Sequence, residues 1–196
     1  MKTTLKLLPI ALIAAPVLAQ KLSFKAVQPD PAAVRIMDVY ARCVVARNPD
    51  QAIKIISSDY RTDLYRAEIR DLAMKQKSCV PRAGKLKFQP VIFAGMMAED
   101  LMRRSHADIS DLGRLPTPSK FNGAIECVVQ TEPKLVSELF RTTPASSEEL
   151  TAIFRLQPTL NDCLPREQAP LTNNVILRAQ LALASYRFMM LNSSGV

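Results

Sequence analysis

The strongest constraint on the fold of this chain is that one segment occurs in it twice. Four cysteines form two pairs, each with a spacing of 36 residues, and the second pair lies 84 residues after the first. The pairs are Cys43 with Cys79, and Cys127 with Cys163. Aligned without a gap, Tyr40–Arg104 and Ala124–Phe188 share 13 identical residues in 65 positions. Apolar positions coincide as well, which predicts two copies of one structural unit.

The paired cysteines predict two disulfides if the chain folds in an oxidising compartment. Four cysteines allow three connectivities, and the symmetry of the repeat favours Cys43–Cys79 with Cys127–Cys163. The alternative is a zinc site with four cysteine ligands. The spacing does not favour it, because no Cys-x-x-Cys pair is present and His106 is the single histidine.

Apolar residues recur at helical spacing throughout both copies, and no convincing strand alternation is present. We therefore predict an all-α fold of two tandem, pseudo-symmetric four-helix units packed into one helical domain, with one disulfide per unit. The fourth helices, Val91–Met102 and Val175–Leu191, are apolar nearly all round and are expected to pack together at the centre. Pro158 is expected to kink or end the third helix of the second unit.

The first residues are typical of a secretory signal peptide. Lys2 and Lys6 precede an apolar run from Leu7 to Ala15, and small residues around Ala19 suit a cleavage site. We expect a signal peptide at 1–19, a first helical repeat at 20–104, a linker loop at 105–122 and a second repeat at 123–196. The expected location is the periplasm or the exterior of a bacterial cell.

The motifs that carry the duplication also suggest a family. Cys43-Val44-Val45 followed by Asn48-Pro49, a later Cys79-Val80-Pro81-Arg82, and an apolar helix with Ala98-Glu99 are the relevant segments. This pattern resembles a group of small, uncharacterised exported bacterial proteins with a duplicated, disulfide-closed helical unit. The resemblance implies an exported helical repeat protein and implies no activity, ligand or site residue.

Enzyme signatures are weak in this sequence, and we expect no cofactor. The five glycines form no phosphate-binding loop, and the acidic residues do not have the spacing of a calcium-binding loop. His106 is expected to be an exposed loop residue. Glu99 interrupts an apolar helix and could centre a hydrolase active site if it were buried. The alternative is that Glu99 and Asp100 form one polar edge and pair with Arg103 or Arg104.

Charge is distributed unevenly between the copies, although the whole chain carries +8. Tyr40–Arg104 has 13 basic and 7 acidic residues, whereas Ala124–Phe188 has 6 basic and 7 acidic. A basic surface of this kind attracts an anionic envelope component or protein, including contact with a membrane surface, and the compartment argues against nucleic acid. The residues predicted to bind anions are Arg66, Arg70, Lys75, Lys77 and Arg82.

Methionines suggest an alternative ligand. The chain has eight of them, and flexible methionine side chains can line an adaptable apolar pocket between helices. Met96, Met97 and Met189 fall on the two central helices. The sequence thus leaves two binding hypotheses open, an anionic partner and a small apolar ligand, beside the weaker hydrolase hypothesis at Glu99.

Overall fold

The computed structural model describes residues 30–59, 62–80, 89–106, 109–110, 123–163 and 173–193. The expected signal peptide and most of the linker loop lie outside these residues. Within them the secondary structure is entirely helical, which confirms the all-α prediction. The helices are α1 (Pro31–Arg47), α2 (Pro49–Ser57), α3 (Asp63–Lys75), α4 (Pro90–Arg104), α5 (Ala124–Thr131), α6 (Pro133–Arg141), α7 (Ser147–Cys163) and α8 (Asn174–Ser193), with a short 3-10 helix at Lys77–Cys79.

The helices of the two repeats correspond to each other at the offset seen in the sequence. Three helix starts in the first repeat recur 84 residues later in the second. These starts are Pro49 and Pro133, Asp63 and Ser147, and Pro90 and Asn174. Helix α1 corresponds to α5, α2 to α6, α3 to α7 and α4 to α8. The duplication in the sequence is therefore a duplication of four helices.

Each repeat is closed by its own disulfide. Cys43 in α1 bonds to Cys79 in the 3-10 helix, and Cys127 in α5 bonds to Cys163 at the end of α7. The Cα atoms of each pair are 5.7 Å apart, an ordinary separation for a disulfide. The connectivity favoured by the repeat symmetry is confirmed. Because disulfides persist mainly in oxidising compartments, the structure suits a non-cytoplasmic environment.

Of the two effects expected of Pro158, a kink or an end of the helix, the end does not occur, because α7 continues through it to Cys163. Pro158 lies on the exposed face of α7, where water can reach the carbonyl of Phe154 that loses its amide donor. On the opposite face, Leu156 and Leu160 are buried in the core. Packing on one side and the disulfide at Cys163 hold the helix together beyond the proline.

Helices α4 and α8 cross at the centre of the molecule, in the most extensive helix–helix contact of the described fold. The crossing point is marked by Gly95, where an added Cβ would lie 2.3 Å from the Cα of Ala179. No side chain fits in that space, so only glycine allows the helices to come this close. Ala179 lies 84 residues after Gly95, so equivalent residues of the two repeats meet at this point.

Both central helices are largely buried, yet neither is purely apolar. Glu99 and Asp100 on α4, and Arg178 and Arg187 on α8, are each less than a tenth exposed. Among the helices that the structure describes, none has the combination of length and hydrophobicity that a membrane span requires. Buried charges at the centre of a helical core require specific partners, because an unpaired buried charge is costly.

Candidate functional site

The residues predicted to bind anions lie on the outside of the first repeat. Arg66, Arg70 and Lys75 are exposed on α3, and Lys77 is exposed on the 3-10 helix, while Arg82 lies outside the described residues. Arg66 forms an ion pair with Asp63 at 2.9 Å, and Lys75 forms one with Asp71 at 2.5 Å. Local carboxylates therefore neutralise two of the four described cations of this patch.

The three methionines of the apolar-pocket hypothesis lie in or next to the core. Met97 is fully buried, Met96 is nearly so, and Met189 is half-buried. Met96 borders a void of about 10 Å³, which has room for one water molecule at most. A carrier site lined by these three side chains stays a prediction without support from the packing of Met96 and Met97.

Asp100 and Glu99 do not form the single polar edge considered from the sequence. Asp100 pairs with both Arg103 and Arg104, as that interpretation expected. Glu99 instead faces the second repeat and accepts two hydrogen bonds from Arg178, from Nη2 at 2.6 Å and from Nε at 2.9 Å. The two neighbouring carboxylates thus serve different contacts, because consecutive helix positions point in different directions.

Arg178 is the centre of a buried network that joins the repeats. Besides Glu99 on α4, its Nη1 donates to Glu149 on α7 at 3.0 Å and to the Thr142 hydroxyl at 3.0 Å. Its Nη2 also donates to the Thr142 carbonyl at 3.0 Å. A guanidinium has five N–H donors, and all five have an acceptor here. Every N–H group of the Arg178 guanidinium is therefore hydrogen-bonded.

Glu149 extends this network into the start of α7. Its second carboxylate oxygen accepts a hydrogen bond from the backbone N–H of Ala145 at 2.7 Å, and its own N–H donates to the hydroxyl of Ser146 at 3.2 Å. Ala145 has a φ of 59°, so the turn before α7 contains a left-handed alanine. The buried carboxylate stabilises that turn and at the same time accepts from Arg178.

Electrostatics favour the charged state of Arg178 despite its burial. Burial alone would lower the pKa of the guanidinium, but the hydrogen bonds and negative charges of Glu99 and Glu149 outweigh it, and the pKa is raised above its ordinary value. Both oxygens of Glu99 accept from the guanidinium, which leaves neither free to exchange a proton with a substrate. The hydrolase hypothesis at Glu99 gains no support from this geometry.

A cleft of about 730 Å³ lies beside the network, at the junction of the two repeats. Its walls come from helix α1, the C-terminal end of α4 with Ile109 beyond it, and the C-terminal half of α6 with the connection to α7. The polar side chains that line it include four arginines, one aspartate and one histidine, together with Glu99. They are Arg35, Arg42, Arg103, Arg141, Asp38 and His106. Only His106 and Glu99 were considered as site residues from the sequence.

The arginines of the cleft are incompletely neutralised. Arg42 pairs with Asp38 at 2.7 Å, but its Nε is buried and has no hydrogen-bond partner among the described residues. Arg35 and Arg141 are exposed and have no carboxylate partner in the described part of the chain. Burial and the nearby charge of Arg42 lower the pKa of Arg103, with Asp38 and Glu99 opposing this effect. The cleft thus crowds positive charges together.

His106 is exposed, as expected, and stands at the end of α4 on the rim of this cleft. Its φ of 51° places it in the left-handed region, which terminates the helix. No described cluster of three or more histidine, cysteine or carboxylate side chains has the arrangement of a metal site. What the cleft presents is therefore a set of hydrogen-bond donors with positive charge.

Two residues that line the cleft have equivalents in the other half of the molecule with different surroundings. Arg103 corresponds to Arg187, which is buried and lies 6.0 Å over the ring of Tyr65. Met102 corresponds to Tyr186, which is also buried. At these two positions the residue that lines the cleft in one half of the molecule has a buried equivalent in the other half.

Sequence reasoning missed Arg178 and the cleft, although one signal pointed to the former. Glu99 and Arg178 are charged, whereas their equivalents in the other repeat are Leu183 and Ala94. Opposite charges that each appear in only one copy, on two helices expected to be buried against each other, predict an ion pair between the repeats. The cleft left no such signal, because its walls are distant in the sequence.

Comparison of this chain with protein-family models, with curated proteins and with solved structures finds no match. The functional argument therefore rests on the cleft and its charges.

Proposed function

We propose that this chain is an exported, non-enzymatic protein that binds an anionic component of the cell envelope in the cleft between its two repeats. The observation that carries the proposal is the convergence of Arg35, Arg42, Arg103 and Arg141 on one cleft. Guanidinium groups make strong, charge-assisted hydrogen bonds to carboxylates and phosphates, often through two N–H groups at once. An anion in the cleft would relieve the repulsion between these side chains.

Export is supported by two independent features. Residues 1–19 have the pattern of a secretory signal peptide, and two disulfides close the two repeats. A binding role, as opposed to an enzymatic one, is supported by the chemistry of the available groups. All four cysteines are in disulfides, and both oxygens of Glu99 accept hydrogen bonds from Arg178, so neither a thiol nor this carboxylate is available as a nucleophile or a base.

Isothermal titration of the disulfide-bonded chain with inorganic pyrophosphate tests the proposal. Two double variants provide the contrast, Arg35→Gln with Arg141→Gln in the cleft and Arg66→Gln with Arg70→Gln on α3. Each removes two exposed positive charges, so both variants have the same net charge. Because a hydrogen bond to a charged group contributes about 1.5–3 kcal/mol, the cleft variant should lose roughly tenfold in affinity or more, and the α3 variant little.

Three results would overturn the proposal. If pyrophosphate does not bind the wild-type chain, the cleft is not an anion site. If both double variants lose affinity equally, the attraction is to overall charge and has no defined site. If only the α3 variant loses affinity, the anion-binding surface is the basic patch predicted from the sequence.

A further inference from the structure

The cleft has an apolar side as well as a cationic one. Five apolar residues contribute to its lining, in addition to the arginines. They are Val39, Met102, Ile109, Phe140 and Pro144. Met102, Ile109 and Pro144 are themselves buried, and we call these three residues the apolar base of the cleft, whereas Val39 is 62% exposed on its α1 wall. An inorganic anion would leave this apolar surface in contact with water.

The dimensions of the cleft suit a small organic molecule. Its volume of about 730 Å³ lies within the range of ordinary ligand sites, roughly 300–1,000 Å³. Such sites combine apolar walls with a few polar groups that fix the orientation of the ligand. The arginines meet the second requirement, and the apolar residues at the base and on the α1 wall meet the first.

The charge of the cleft limits the charge of its occupant. The lining side chains, together with the side chains connected to them through ion pairs, directly or by way of one other residue, comprise six arginines and four carboxylates and carry a net charge of +2. These are Arg35, Arg42, Arg103, Arg104, Arg141 and Arg178, with Asp38, Glu99, Asp100 and Glu149. A ligand with one or two negative charges would neutralise this excess.

Hydrogen bonds from buried residues hold in place the wall of the cleft that the second repeat contributes. Arg178 donates to the hydroxyl and the carbonyl of Thr142, and Glu149 accepts from the backbone of Ala145. Thr142 and Pro144 both line the cleft. The buried network therefore fixes the turn between α6 and α7, and a preformed wall reduces the entropy lost on binding.

From these observations we infer that the ligand is a small amphiphilic organic anion, with a phosphate or carboxylate head joined to a short apolar body. This inference rests on the proposed function and adds a chemical class to it. The head is bound by the arginines of the rim, and the apolar body covers the base of the cleft and Val39. A ligand of this kind combines the anionic partner and the small apolar ligand that the sequence left open, and its site is at the junction of the repeats.

The test is a series of alkyl phosphates with one head group and increasing chain length. Methyl, butyl and octyl phosphate are titrated into the disulfide-bonded full-length protein by calorimetry. Octyltrimethylammonium, which has the same alkyl chain as octyl phosphate but a positive head group, is the control ligand. Affinity should rise by up to about fourfold for each methylene that reaches the apolar base, since each one buried contributes about 0.8 kcal/mol. The cation should not bind.

Val39→Asn is the decisive variant, because it alters the apolar side of the cleft without changing a buried residue. We expect the affinity for octyl phosphate to fall several-fold more than the affinity for methyl phosphate. Leu64→Asn on α3 is the matched control, since Leu64 is 68% exposed and lies outside the cleft. It should change neither affinity.

The inference and the proposed function fail in distinguishable ways. If methyl and octyl phosphate bind equally and both depend on the cleft arginines, the cleft binds anions but does not select an apolar body. If none of the phosphates binds, both ideas are wrong. If Val39→Asn and Leu64→Asn weaken octyl phosphate to the same extent, the chain adsorbs to exposed apolar residues, and the inference is again refuted.

Discussion

Arg103 and Arg187 occupy equivalent positions on the two central helices, yet their surroundings are opposite. The Arg103 side chain is 45% exposed and lines the cleft, whereas Arg187 is buried over Tyr65. Other cleft residues changed type between the copies, since Arg42 corresponds to Glu126 and Arg141 to Ser57. The comparison teaches that the repeats preserve the placement of helices while the side chains between them have diverged.

The outer helices differ in a similar way. On α3 the exposed positions include Arg66 and Arg70, and on α7 the equivalent positions are Leu150 and Phe154, which are 53% and 77% exposed. One repeat thus presents a charged surface where the other presents an apolar one. The four-helix frame tolerates both, because these side chains make no contribution to the core.

The largest effect is expected at the buried network, which one side of the molecule has and the other lacks. Arg178→Met leaves Glu99 and Glu149 buried without their cation, so the free energy of unfolding should fall by about 3–5 kcal/mol. Urea denaturation with the disulfides intact measures it. Adding Glu99→Leu, the residue of the other repeat, should recover part of the loss.

An exposed ion pair provides the control for this prediction. Arg155 pairs with Glu138 on the surface, with the two side chains 54% and 43% exposed. Arg155→Met should therefore cost less than about 1 kcal/mol. If Arg178→Met costs no more than Arg155→Met, the buried network does not hold the two repeats together as argued.

The two disulfides provide a comparison in which the repeats should behave alike. Both close loops with the same separation of 36 residues, so loop entropy predicts the same stabilisation, about 3–4 kcal/mol for each. Replacing either pair of cysteines by serine should lower the free energy of unfolding by this amount, as measured in urea. A clear inequality would show that local packing, and not loop closure, determines the effect.

A smaller effect is expected where the repeats meet. Gly95→Ala forces α4 and α8 apart, because the new Cβ would overlap Ala179, and should cost about 1–3 kcal/mol. The reciprocal change Ala179→Gly creates no overlap but removes helix propensity and one buried methyl group, and should cost about 1–2 kcal/mol. Thermal unfolding of both variants is the measurement. Equal effects would mean that the close approach at Gly95 is not limiting.

Much of the fold could be predicted because it depends on local patterns that occur twice. Helix periodicity, helix starts and cysteine spacing are all properties of neighbouring residues, and the duplication allowed each to be checked against its copy. The sequence left open whether Pro158 kinks or ends its helix, because continuation through it depends on packing and on the bond at Cys163, and both are tertiary effects.

The candidate site could not be predicted in the same way. Arg178 contacts Glu99 across 79 residues of sequence, and Arg35, Arg103 and Arg141 come from separate helices. No local period connects such residues, and their proximity follows from how α4 crosses α8. The charge asymmetry of the sequence was a correct count, but it drew attention to cations that are close together along the chain, from Arg66 to Arg82, and not to arginines that the fold brings together.

The meeting of Gly95 with its own equivalent, Ala179, has a consequence for the history of the molecule. A residue that touches its own counterpart is the mark of an axis of symmetry between identical subunits. An ancestral homodimer of the four-helix unit would have contained two identical clefts, and every substitution would have appeared in both. Once the two units were joined in a single gene, each could mutate alone. The same position could then keep a partly exposed arginine in one unit, as at Arg103, and become part of the interior in the other, as at Arg187.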